Sequence, residues 1–114
     1  MSVTIYHNPR CSKSRQTLTL LQDKGIEPEI VEYLKTPPSA DEITAILKKL
    51  GIEARALMRT KEAVYKELGL AKVEDEKALI KAMAENPVLI ERPVVIKGPK
   101  AALGRPPEQV LEIL

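Results

Sequence analysis

The chain opens on a short apolar run, Val3-Thr4-Ile5-Tyr6, which predicts a strand over residues 2–6. Leu18, Leu20 and Leu21 then predict a helix over residues 16–24, with Gly25 as its stop. Glu29-Ile30-Val31-Glu32-Tyr33-Leu34 alternates polar and apolar positions, the pattern of a second strand with one face covered. A helical connection between the two strands implies a right-handed crossover and a parallel pair. Thr36-Pro37-Pro38-Ser39 is a break, and Ser39 with Glu42 three residues on is a capping box. Ile43, Ile46, Leu47 and Leu50 follow at i, i+3, i+4 and i+7, a helix that Gly51 ends. Residues 54–58 read as a single helical turn and residues 61–68 as a short helix closed by Gly69. Asp75 caps a further helix through Glu85, with Leu79, Ala82 and Met83 on one face and Asn86-Pro87 as its stop. Pro93-Val94-Val95-Ile96 is β-branched and reads as a third strand. The turn residues Lys97-Gly98-Pro99-Lys100 return it as a fourth, Ala101-Ala102-Leu103. After Gly104-Arg105-Pro106-Pro107, residues 108–114 suit a helix with Val110, Leu111 and Leu114 facing inward.

The element order is βαβ, several helices, then ββα. That is the order of a thioredoxin-like α/β fold, with a mixed four-stranded sheet and a helical insertion between its halves. A length of 114 residues predicts one domain over residues 1–114, expected as a monomer. The formal charge of +2 is too small to imply nucleic acid. Tyr6, Tyr33 and Tyr65 are the only aromatics, so no platform for stacking bases is visible. One cysteine excludes an intramolecular disulfide and a cysteine-pair zinc site, so no metal is expected. No basic-then-apolar leader and no apolar run of the ~20 residues that a membrane span needs is visible. The default expectation is a cytoplasmic protein without a membrane partner.

The single cysteine changes this picture. It stands in His7-Asn8-Pro9-Arg10-Cys11-Ser12-Lys13-Ser14-Arg15, between the first strand and the first helix. At or just before a helix N-terminus, unpaired N–H groups and the positive end of the dipole favour a thiolate. Arg10, Lys13 and Arg15 add positive charge on the flanks. A lone cysteine among apolar neighbours is an inert core residue. Here the neighbours are polar and basic, which points to a reactive thiol beside an anion-binding loop. Arg59, Arg92 and Arg105 each stand at the edge of a predicted segment, where a guanidinium can offer its planar fork to an oxyanion. Arg55 reads as a solvated surface residue. His7 reads equally as a polar strand end and as a participant. A general base is not required if the helix and the cations already hold the thiolate.

The cysteine loop, Tyr33-Leu34 before Pro37-Pro38-Ser39, Arg55-Ala56-Leu57-Met58-Arg59, Asn86-Pro87-Val88-Leu89-Ile90-Glu91-Arg92-Pro93 and Gly104-Arg105-Pro106 resemble, in order and almost end to end, the glutaredoxin-coupled arsenate reductase family. The resemblance implies a thioredoxin-like fold, arsenate as substrate, arsenite as product, glutathione as co-substrate without a bound cofactor, and glutaredoxin as partner. Carried over by position, it makes Cys11 the nucleophile and Arg59, Arg92 and Arg105 the oxyanion ligands. His7, Ser14 and Arg15 become supports of the thiolate, with the Ser14 hydroxyl expected to donate to the sulfur. Better-studied members often carry Gly-Thr after the cysteine, where this chain has Ser12-Lys13. Two other readings keep the fold. One is a glutathione-dependent thiol/disulfide reductase, whose substrate would have no oxyanion for the arginines. The other is a non-catalytic regulator resembling the Spx type, whose usual Cys-x-x-Cys switch is impossible here because Ser14 holds the fourth position.

Overall fold

The computed structural model describes residues 2–114. The chain divides into two compact units. One takes in the chain up to Thr36 together with Arg92–Leu114, and the other is Pro37–Glu91.

In the first unit, β1 (Val3–His7) buries alternate residues, Val3, Ile5 and His7. It runs parallel to β2 (Glu29–Glu32), with α1 (Ser12–Asp23) as the crossover. β3 (Val94–Lys97) pairs antiparallel with β1, and β4 (Lys100–Leu103) antiparallel with β3. The sheet order β2-β1-β3-β4, one parallel and two antiparallel ladders, is the mixed sheet of a thioredoxin-like fold. Ile5 stands opposite Val95, and Val95 opposite Ala102, so all three share one sheet face. With Val3 they form the core against Leu21 of α1 and Val110 of the C-terminal segment.

Three sequence expectations shift here. α1 begins at Ser12 and not at residue 16, because its first buried positions are polar: Ser14 and Thr17 turn inward in register with Leu21. Being polar, they leave no mark in the apolar periodicity of the segment. β2 ends at Glu32. Tyr33 is buried in the turn that follows, while Ile30 stays 46% exposed, so the covered face expected of this strand is incomplete. β2 is the edge of the sheet, and the apolar cover gathers over β1, β3 and β4. The C-terminal segment Pro107–Ile113 is a 3-10 helix, not an α-helix. At three residues per turn, Pro107, Val110 and Ile113 line up on one side. Val110 is therefore fully buried, while Leu111, expected inside, is 38% exposed.

The second unit is helical: α2 (Ala40–Leu50), α3 (Ala54–Leu57), α4 (Ala63–Glu67) and α5 (Glu76–Glu85), with 3-10 turns at Leu70–Lys72 and Pro87–Leu89. The capping box forms as expected. Ser39 Oγ accepts the Glu42 N–H at 3.1 Å, and Glu42 Oε1 accepts the Ser39 N–H at 3.0 Å. Gly51 closes α2 at φ 69°, where a side chain would be strained. Ile43, Ile46 and Leu47 of α2 and Leu79, Ile80, Ala82 and Met83 of α5 are buried. Arg55 is not a solvated surface residue. Its guanidinium donates to Tyr65 Oη and to the carbonyls of Leu70 and Val73, tying α3 to α4 and the turn beyond. The Leu70 carbonyl also accepts the Val73 N–H at 3.0 Å, and the planar fork meets several acceptors at once. Arg59 sits where two extended segments meet. Met58 bridges Ile90, Arg59 N–H donates to the Leu89 carbonyl, and Glu91 N–H donates to the Leu57 carbonyl, both at 2.7 Å.

Candidate active site

Cys11 is the N-cap of α1, with extended backbone (φ −93°, ψ 123°). Its own N–H donates to the Asn8 carbonyl at 3.0 Å, which closes the loop into a turn. N-cap side chains ordinarily accept from the N–H at the second or third helical position. In α1 those are Lys13 and Ser14. The uncharged thiol, a weak acceptor, makes no capping bond; the thiolate gains these donors. Partial burial pushes the Cys11 thiol up. The Ser14 N–H, the Arg92 guanidinium through a hydrogen bond and through its charge, and the Lys13 N–H pull it down. Together they outweigh burial, and the thiol is held below its ordinary value. The sulfur is therefore a thiolate over a wider range of pH than a solvated cysteine.

The loop is held from beneath by a buried polar set. His7, Asn8 and Ser14 are all under a tenth exposed. His7 Nδ1 and Ser14 Oγ share a hydrogen bond of 2.6 Å, and Ser14 Oγ accepts the Asn8 N–H at 3.0 Å. Asn8 Oδ1 accepts the Arg10 N–H at 3.0 Å. The hydroxyl of Ser14 is thus engaged with His7 and Asn8, and its backbone N–H, not its hydroxyl, serves the sulfur. That corrects the expected role. Burial lowers the His7 pKa; Glu32, its register partner on β2, raises it and Arg15 lowers it, with a net fall. The imidazole is neutral near pH 7 and can accept or donate within this set.

Arg15 also differs from its expected place. Its side chain is exposed and donates to the Pro9 carbonyl at 2.9 Å, so it braces the loop backbone, while the cation acting on the thiol is Arg92. Arg105 Nη1 donates to the Arg92 carbonyl at 3.0 Å. Cys11, Arg92 and Arg105 are therefore linked within the first unit. Arg59 lies in the second, where its guanidinium meets Glu91 Oε1 at 3.0 Å and Glu62 Oε1 at 3.7 Å. The peptide bonds Arg92-Pro93 and Arg105-Pro106 are both cis. Among the described residues no group of three or more His, Cys, Asp and Glu side chains could hold a metal, and no helix is long and apolar enough to cross a membrane.

Asn8 was not singled out from the sequence, although Asn before Pro is a turn signal whose side chain can bond its own backbone two residues on.

The model of the ArsC family matches residues 6–113. The chain belongs to the ArsC family. A protein of Escherichia coli K12 named "Uncharacterized protein YfgD" is 60% identical over 114 residues, covering 98% of this chain and 96% of its own length. A protein of Haemophilus influenzae named arsenate reductase is 57% identical over 116 residues, covering all of both chains. The solved structure of arsenate reductase from Vibrio cholerae is 56% identical, with a TM-score of 0.97, over all of this chain and 98% of that one. The whole cysteine loop lies within the matched span.

Proposed function

We propose that this ArsC-family protein reduces arsenate to arsenite, with glutathione and glutaredoxin as the electron donors. The observation that carries the reading is the lowered thiol of Cys11, set at the N-terminus of α1 beside Arg92. Relatives named arsenate reductase, similar over the whole chain, support the substrate. Cys11 is the nucleophile. Arg92 and Arg105 present cations on its own side of the fold, and the family resemblance assigns Arg59 to the same oxyanion. Reduction of As(V) to As(III) takes two electrons, hence two thiols. The chain has one cysteine, so the other thiol comes from outside, and glutathione is the natural source.

Arsenate docks on the arginines and the loop N–H groups. The thiolate attacks arsenic and an oxygen leaves as water. Glutathione adds, two thiols become one disulfide, and arsenic is reduced. Arsenite is released, and glutaredoxin returns Cys11 to the thiol from its mixed disulfide with glutathione. The soluble donors fit a cytoplasmic setting.

The test is a coupled assay with arsenate, glutathione, glutaredoxin, glutathione reductase and NADPH. Arsenate-dependent NADPH consumption should vanish in Cys11→Ser. It should fall roughly 10²–10³-fold in Arg92→Gln or Arg59→Gln, the usual loss for one oxyanion donor. A folded protein with a low-pKa Cys11 and no arsenate dependence would sink the reading and leave a thiol reductase on the same scaffold.

A further inference from the structure

We propose that Gly104 is a positioning residue for Cys11: it sets the gap between Thr17 in the second turn of α1, which is bonded back to the first turn, and the Arg92-Pro93 segment, and only a residue without a side chain keeps the two at working distance. The inference rests on the reading of Cys11 as the reactive thiolate. In the sequence Gly104 looks like an ordinary breaker after the fourth strand. Its φ is not positive, so the backbone does not demand glycine here. Space does. A Cβ on Gly104 would lie 2.4 Å from Thr17 Oγ1, 3.2 Å from Thr17 Cγ2 and 2.7 Å from Pro93 Cγ.

Neither neighbour is a flexible side-chain end. Thr17 is fully buried, and its hydroxyl donates to the Lys13 carbonyl at 2.8 Å. Pro93 is fully buried, and its carbonyl accepts the Gly104 N–H at 2.9 Å. The next residue, Arg105, holds the Arg92 carbonyl. One side of the contact thus leads to Lys13 and Ser14, whose N–H groups serve the sulfur. The other leads to Arg92, whose guanidinium does the same. A methyl at position 104 has to move one of these away from the other. Displacements of this size reach the chemistry, since about 1 Å of misplacement can cost 10²-fold in rate.

The experiment titrates Cys11 by the pH dependence of iodoacetamide alkylation in Gly104→Ala, Thr17→Ala and the double variant, alongside thermal unfolding and the coupled arsenate assay. In Gly104→Ala the alkylation midpoint should rise toward that of an ordinary thiol, with kcat/KM down roughly 10–100-fold. The double variant loses the Thr17 crowding and keeps that of Pro93. Its midpoint should fall between those of Gly104→Ala and Thr17→Ala. A folded Gly104→Ala that titrates as wild type would overturn the proposal, whatever its thermal midpoint, because Gly104 would then serve packing alone. If Gly104→Ala does not fold, the double variant decides: a midpoint no higher than that of Thr17→Ala overturns the proposal. Alkylation needs no arsenate, so the expected shift in a protein inactive on arsenate would fail the functional reading and leave this one standing.

Discussion

At the scale of single residues, Cys11 and Ser14 divide the work of one helix start. The sulfur takes the N-cap position, where its charge meets the N–H groups of Ser14 and Lys13 and the Arg92 guanidinium. The Ser14 hydroxyl faces the other way, into the buried pair His7 and Asn8. Ser14→Ala should therefore act first on stability. It leaves His7 Nδ1 and the Asn8 N–H without this partner, at about 1–3 kcal/mol, readable by chemical unfolding. A loosened Asn8 also frees the turn that its carbonyl closes with the Cys11 N–H, so the thiol should titrate higher. Unchanged stability would mean that water replaces the hydroxyl. The placement of Cys11 was legible in the sequence, because a strand pattern before it and a leucine pattern after it leave only a turn. The choice of its cation was not. Arg10, Lys13 and Arg15 are near in sequence, yet the one that acts is Arg92, brought in by the β1–β3 pairing. Arg55 is hidden from the sequence in a similar way: two of its three acceptors are the backbone carbonyls of Leu70 and Val73, which no side-chain pattern advertises.

Among the elements, the capping box of α2 forms as expected, while α1, β2 and the C-terminal segment depart from their expected bounds or type. The capping box before α2 combines two reciprocal bonds with an apolar face, so local chemistry and packing agree. Ser39→Ala should cost about 1 kcal/mol of stability, seen as a lower urea midpoint. Residues 108–114 gave a less certain instruction. Their apolar positions suit either an α-helix burying Val110, Leu111 and Leu114 or a tighter helix burying every third residue. Pro107 and Val110 already lie inward on the tighter one. Two substitutions separate the alternatives. Val110→Ala removes fully buried surface and should cost about 1.5–3 kcal/mol. Leu111→Ala, at a position 38% exposed, should stay within about 0.5 kcal/mol. Equal losses at both positions would argue for the α-helical register. The start of α1 belongs to this scale too. Its buried stripe Ser14, Thr17, Leu21 is polar at two positions of three because that end of the helix serves the loop before the core.

For the molecule as a whole, the lowered thiol couples the site to folding. The unfolded chain carries Cys11 with an ordinary thiol pKa, and the native chain holds it lower. Between those two values the unfolded state binds a proton that the native state does not, so stability rises with pH across that window. Above the ordinary value both states are thiolates and the stabilisation is fully present. Below the native value both are thiols and it is gone. Cys11→Ser has no such group. The stability of the wild type minus that of Cys11→Ser, from urea unfolding at a series of pH values, should therefore climb from a lower plateau to an upper one as pH rises. His7 works beneath it in the same direction. Its own pKa is lowered, so acid below the ordinary histidine range favours the unfolded, protonated chain. That slope is common to both proteins and cancels in the difference, which leaves the thiol alone. A flat difference would mean that the native thiol is not lowered. The helix N-terminus and Arg92 would then be insufficient, and the nucleophile would need a base that the buried, neutral His7, already bound to Ser14, is poorly placed to be.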